Sequence, residues 1–184
     1  MKWMIASDIH GSAYWCRRLL DRYEKSGASR LVILGDILYH GPRNDLPREY
    51  APKEVIAMLN PLKDRIYAVR GNCDTEVDQM VLEFPILADY ALLSVDGKTI
   101  YATHGHVWNQ EQLPPMPPGD ILLHGHTHLL KAEYADTACG RIAVLNPGSV
   151  SIPKGGNPNT YAMLENGLFS IRTLEDETVK ELQL

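Results

Sequence analysis

Cysteine is scarce in this chain: Cys16, Cys73 and Cys139 are odd in number and widely spaced. They form neither a disulfide framework nor a CxxC zinc site, which fits a reducing cytoplasm. Nothing approaches the ~20 consecutive apolar residues of a membrane-spanning helix. The opening run, Met1 to Ala6, meets Asp8 and His10 too soon to be the apolar region of a signal peptide. Basic charge is also in deficit, with 18 Lys and Arg against 23 Asp and Glu for a formal charge of −5. That balance argues against broad nucleic-acid binding, although nucleotide-sized substrates stay open. With no repeat, low-complexity tract or long linker, the 184 residues read as one domain spanning 1–184.

What recurs is a short apolar run ending abruptly in polar residues. Trp3 to Ala6 leads to Asp8 and His10, and Leu31 to Leu34 leads to Gly35-Asp36. Ile66 to Val69 leads through Arg70 to Gly71-Asn72-Cys73-Asp74. Later, Ile100 to Ala102 precedes His104-Gly105-His106, Ile121 to Leu123 precedes His124-Gly125-His126-Thr127-His128, and Ile142 to Leu145 precedes Asn146-Pro147-Gly148-Ser149. Runs of this length bounded by Gly and Pro read as buried strands. Ser12 is placed to cap a helix that Gly27 stops, and Pro52 to Leu59 predicts a second helix ended by Pro61. Strand alternating with helix through residue 70 implies parallel βαβ units. Beyond residue 90 the pattern changes to hairpins, one turning at Asp96-Gly97 and one at Asn166-Gly167. The expectation is an α/β fold of two packed sheets flanked by helices, with the polar clusters gathered at strand carboxyl ends.

Taken singly, Asp8 with His10 reads equally well as a capped turn, and Gly35-Asp36 or Gly71-Asn72 as an ordinary turn. The histidines are harder to explain as loop polarity, because five of the seven fall in 104–106 and 124–128. A set of oxygen and nitrogen donors without thiolates suits Mn, Fe, Co, Ni or Zn. Two such ions roughly 3.5–4 Å apart need a bridging carboxylate; a water shared between them loses a proton near neutral pH and attacks a phosphate.

Asp8-Ile9-His10, Gly35-Asp36, Gly71-Asn72-Cys73-Asp74, His104-Gly105-His106 and Gly125-His126-Thr127-His128, in that order, resemble the calcineurin-like metallophosphoesterase superfamily. The nearest likeness is to its small single-domain bacterial and archaeal phosphodiesterase branch. The resemblance implies a four-layer α/β/β/α sandwich of two mixed sheets. It implies that Asp8, His10, Asp36 and His128 hold one metal ion and that Asp36, Asn72, His104 and His126 hold the other, with Asp36 bridging. It further implies manganese as the usual ion, hydrolysis of a small-molecule phosphodiester, and catalytic parts for Asp36, Asn72, Cys73 and His104.

Two positions depart from the pattern. Cys73 stands where most of the superfamily carries a histidine proposed to protonate the leaving oxygen. A thiol is a weak donor and carries no positive charge, so His106 or His40 becomes an alternative donor. Tyr39 superficially matches a tyrosine ligand of purple acid phosphatases, but those enzymes lack the histidine present here as His10; Tyr39 is therefore expected to pack or to line the cleft. Arg43 and Arg70, with Lys154, are candidates for phosphate contact. The competing reading is a catalytically weak scaffold on the same fold, as in a subunit of the eukaryotic retromer coat. Occupation of all seven ligand positions by competent residues weighs against it. The natural substrate, the native metal and self-association into a homo-oligomer are left open.

Overall fold

A computed structural model describes residues 2–95 and 97–184. The chain begins with β1 (Lys2–Ala6), α1 (Ala13–Ser26), β2 (Arg30–Ile33), α2 (Pro52–Leu59), a 3-10 turn (Asn60–Arg65), β3 (Ile66–Ala68) and the short α3 (Glu76–Gln79). Only strands follow: β4 (Tyr90–Val95), β5 (Lys98–Thr103), β6 (Ile121–Leu123), β7 (Leu130–Thr137), β8 (Gly140–Pro147), β9 (Thr160–Glu165), β10 (Leu168–Thr173) and β11 (Thr178–Gln183). The helix starts follow from local chemistry. Ser12 accepts a hydrogen bond from Trp15 N at 3.3 Å, satisfying a free donor of the first turn. Gly27 then ends α1 at φ 68°, a left-handed conformation that glycine adopts without a Cβ clash.

The strands form a six-stranded sheet, β11-β10-β9-β1-β2-β3, and a five-stranded sheet, β4-β5-β6-β8-β7. Both are mixed. In the first, β1 pairs in parallel with β2 and antiparallel with β9; in the second, β5, β6 and β8 run parallel while β4 and β7 close the edges antiparallel. Strand β1 is buried on both faces, so its sequence is apolar without alternation. Met4 and Ala6 pack toward the helices with Leu19, Val55 and Leu59, while Trp3 and Ile5 pack toward the second sheet with Ile100, Leu123 and Leu145.

The two mixed sheets and the helical layer over the first are as the sequence implies. The fourth layer differs in kind. Over the outer face of the second sheet the described residues place no helix; Trp108, Leu113 and Met116 from the 105–120 connection cover Tyr101, Leu122, Ile142 and Val144. That connection is rich in proline (Pro114, Pro115, Pro117, Pro118), which disfavours helix interiors. The hairpin expected between β4 and β5 is present as paired strands, with Asp96 of its turn outside the described residues. No helix among the described residues is long and apolar enough to cross a membrane.

Candidate metal centre

All seven expected ligands stand within a few residues of the carboxyl ends of β1, β2, β3, β5 and β6. The backbone there is unusual. Asp8 (φ 60°), His10 (49°), Asp36 (54°), His126 (64°) and His128 (59°) all lie in the left-handed region that non-glycine residues rarely occupy. Five such residues meeting at one point mark a site whose geometry is imposed by the surrounding fold, since each costs local strain.

The surrounding bonds show how this is done. Asp74, almost wholly buried, accepts the backbone N–H groups of Asp36, Gly71 and Ile37 at 2.8, 2.8 and 2.9 Å, tying the β2 loop to the β3 loop. Asp36 Oδ1 in turn accepts Cys73 N at 2.8 Å. Gly71 is required by proximity: a Cβ there would stand 2.1 Å from Asp36 Oδ1. Gly125 is the equivalent on the other side, its added Cβ falling 1.9 Å from Ser7 Oγ. Ser7 Oγ and the His126 backbone N–H both donate to Asp8 Oδ2, at 2.6 and 3.2 Å. Ser149 and Ser151 hydroxyls hold the Asp8 carbonyl at 3.0 and 2.9 Å. Asn146 donates to Gly125 O at 2.9 Å and to Thr127 Oγ1 at 3.1 Å, bracing the histidine loop.

Three imidazoles are oriented by backbone carbonyls. His10 Nδ1 meets Tyr39 O at 2.8 Å, His104 Nδ1 meets Leu34 O at 2.6 Å, and His128 Nδ1 meets Ile152 O. With the proton on Nδ1, each neutral ring presents a bare Nε2 lone pair to the centre. There His10 Nε2 lies 3.4 Å from His128 Nε2, and Asp8 Oδ1 lies 3.1 Å from His128 Nε2 and 3.6 Å from His10 Nε2. On the other side, His104 Nε2 lies 3.1 Å from Asn72 Oδ1, 3.2 Å from His126 Nδ1 and 3.4 Å from Asp36 Oδ2. Asp36 Oδ2 is also 3.7 Å from His10 Nε2, so this carboxylate stands between the two groups.

Acceptors crowded against acceptors repel unless positive charge lies among them. Asp8 Oδ1 is buried without any hydrogen-bond donor, as a metal-facing oxygen would be. Without an ion, protons take up part of the charge. Burial alone would pull His104 down, but the Asp36 hydrogen bond and the Asp8 and Asp36 charges push it up to about 9. His10 moves up for the same reason against the same burial penalty. Burial would raise Asp8, yet the His10 and His128 rings beside it, once they take up protons in the absence of an ion, hold it well below the usual carboxylate range. The residues therefore fit two divalent ions: Asp8, His10 and His128 around one position, Asp36, His104 and His126 around another.

Cys73 lies within reach of His10 and Asp36. Burial and the Asp36 carboxylate push its thiol up to about 12, so it remains S–H at neutral pH in the metal-free protein. Arg43 and Lys154 line the cleft over the ligands, a space of about 430 Å³ that also includes Asn72, Cys73, His126 and His128. Arg70, expected beside them, is not in this lining. Its Nε donates to Asp74 O at 3.3 Å and its other end reaches Glu76 at 3.8 Å, so it braces the loop. His106 is exposed, its ring centroid 5.4 Å from that of His104; His40 packs edge-on against Tyr39 and Tyr50 and stays outside the cleft lining. Tyr39 contributes its backbone carbonyl to His10 and leaves its ring on the surface.

An α/β sandwich carrying a largely buried Asp-His cluster at its strand ends, with Asn72 at its exposed rim, defines a metallohydrolase type of centre. Residues 1–167 match the calcineurin-like phosphoesterase superfamily domain, and the chain belongs to that superfamily. It is 50% identical over 179 residues to phosphodiesterase YfcE of Escherichia coli strain K12, an alignment covering 97% of this chain and 95% of the relative. A solved structure of YfcE, a phosphoesterase from E. coli, superposes with a TM-score of 0.95 at 48% identity, covering 100% and 99% of the two chains. Vacuolar Protein Sorting 29 from Cryptosporidium parvum shares the fold at a TM-score of 0.59 and 17% identity, with 100% and 98% covered.

Proposed function

We propose that this chain is a phosphodiesterase that works with two divalent ions, manganese foremost, on a small-molecule phosphodiester. Asp8, His10, Asp36 and His128 hold one ion; Asp36, Asn72, His104 and His126 hold the other. The observation that carries this reading is the facing of bare Nε2 atoms and carboxylate oxygens across a buried centre. The 50% identity to a protein named a phosphodiesterase supports the diester part. When bound, two such ions supply a water acidic enough to deprotonate near neutral pH and positive charge against the phosphoryl oxygens.

The chain's own contribution is orientation and charge. Tyr39 O, Leu34 O and Ile152 O fix the His10, His104 and His128 rings, which are therefore oriented in advance. Asp36 faces both positions with one oxygen while Cys73 N–H holds the other. Arg43 presents a planar fork to phosphate oxygens, and Lys154 adds a point charge opposite. Cys73 offers only a weak donor beside them, which limits help to a poor leaving group. The three cysteines are free, which supports a reducing, cytoplasmic setting.

The test is hydrolysis of bis(4-nitrophenyl) phosphate and 4-nitrophenyl phosphate with Mn²⁺ or a chelator, alongside Asp36→Asn. Diester turnover that needs metal and falls at least ~100-fold in the variant is expected. No turnover with any divalent ion would end the enzyme reading. Clear preference for the monoester would end the diesterase assignment and leave the metal centre standing.

A further inference from the structure

A second space of about 360 Å³ opens beside the metal cleft, and Cys73 lines both. The two differ in chemistry. The cleft is edged by Asp36, Arg43, Asn72, His128 and Lys154, all suited to a charged phosphoryl group. The neighbouring groove is walled by Tyr39, Tyr50, Ile56, Val77 and Val81. Several of these are large apolar side chains left in water, with Tyr39 43%, Val81 44% and Val77 69% exposed. The polar residues at its rim are already engaged, since Asp78 accepts from Thr75 N at 2.7 Å and Thr75 Oγ1 at 2.9 Å. Apolar and aromatic side chains dominate the walls, so the groove selects chiefly by shape and apolar area.

We propose that this groove binds a planar aromatic substituent of the phosphodiester substrate, with Cys73 as the shared wall where groove and cleft meet. The proposal rests on the phosphodiesterase reading above. A diester carries two substituents, and a phosphoryl group seated in the polar cleft must place at least one outside it. Two spaces share walls with the cleft: one, through His126 and Thr127, is also lined by Asn109, Gln110, Glu111 and Lys131, and this groove is the more apolar of the two. The exposed Tyr39 ring supplies an aromatic surface for stacking or edge contact. Cys73 is small and uncharged, so it leaves the passage open and adds no charge that an apolar group would have to desolvate.

The test uses ligands with P–C bonds that the enzyme does not hydrolyse. Mn²⁺-loaded protein is titrated calorimetrically with phenylphosphonate and with methylphosphonate, and the ratio of affinities is read. Phenylphosphonate is expected to bind about tenfold more tightly, from the added apolar burial. The double variant Val77→Asn, Val81→Asn should bring the ratio to about two or below. Met80→Asn, on the same surface but outside the groove walls, should preserve it. Equal affinities in the unaltered protein, an unchanged ratio in the double variant, or the same loss in Met80→Asn would each overturn the proposal. So would a change of mass in sedimentation on the double substitution, which would make the groove a contact between copies. Failure of this ratio leaves diester hydrolysis untouched, whereas failure of hydrolysis with every metal ends the reading on which it rests.

Discussion

His10 and His128 face one another Nε2 to Nε2 at 3.4 Å while Tyr39 O and Ile152 O occupy their other ring nitrogens. Both ring nitrogens also stand near Asp8 Oδ1, at 3.6 and 3.1 Å, and a divalent cation among the three supplies the positive charge this grouping calls for. Mn²⁺ is therefore expected to raise the melting temperature relative to chelator-treated protein. The stabilisation is about 2.7 kcal/mol when free metal is 100-fold above its dissociation constant. His128→Leu should lose most of that shift. Calorimetry with and without Mn²⁺ checks this; an undiminished metal shift in the variant would count against the assignment.

Asp74 binds no expected metal, yet it receives three backbone N–H groups from two loops. Asparagine keeps one carbonyl oxygen and sets an NH₂ where the other acceptor stood. Asp74→Asn is expected to destabilise the fold by about 2–4 kcal/mol, the cost of leaving buried donors unpaired. It should also weaken metal binding, because Asp36 loses its backbone anchor. Urea unfolding of the metal-free variant separates the two effects.

How much of this was legible in the sequence follows the physics of each feature. Strands β1, β2 and β6 are buried on both faces, so their apolar runs stood out. Strand β7 (LKAEYADT) lies at a sheet edge with most residues partly exposed, and it gave no such run. The expected histidine ligands stood out because histidine is rare and clustered, whereas Asp8, Asp36 and Asn72 were singled out by the family resemblance. Asp74, Ser7 and Asn146 were in quoted motifs or beside them, but their roles depend on backbone groups brought from distant loops. Charge alone does not say which way a loop side chain such as Arg70 points; in the structure it is engaged by Glu76 and the Asp74 carbonyl. The strained φ angles at Asp and His leave no trace in composition, unlike those at glycine.

His124 lies beside the ligand loop, buried, with Nε2 unpartnered. Burial pulls it down to about 4 from an ordinary value near 6.5. Between these values the unfolded chain holds more protons than the folded one, so stability rises with pH across that window. His124's contribution is complete above about 6.5 and is lost as pH falls through about 4, on the order of 3 kcal/mol in all. Urea midpoints of the metal-free protein measured from pH 4 to 7 should climb more steeply than those of His124→Gln.

On the proposed reading, Cys73 would leave the leaving group with only a weak proton donor. Cys73→His is expected to raise the rate on a methyl or ethyl leaving group by ~10-fold or more, a conservative fraction of the ~10²–10⁴-fold that general acid catalysis typically contributes. A 4-nitrophenyl leaving group, which departs without protonation, should change little. The ratio of the two rates, measured with Mn²⁺ at fixed pH, decides the matter. Equal response of both substrates would show that leaving-group protonation is not what Cys73 limits.

The central claim is two ions joined by one carboxylate. Equilibrium dialysis against Mn²⁺, with bound metal counted per chain, tests it directly. The account predicts two ions per chain in the unaltered protein, about one in His128→Ala, and weakened binding of both in Asp36→Asn, because Asp36 faces both positions. One ion per chain with diester hydrolysis intact, or two ions undisturbed by Asp36→Asn, would contradict it.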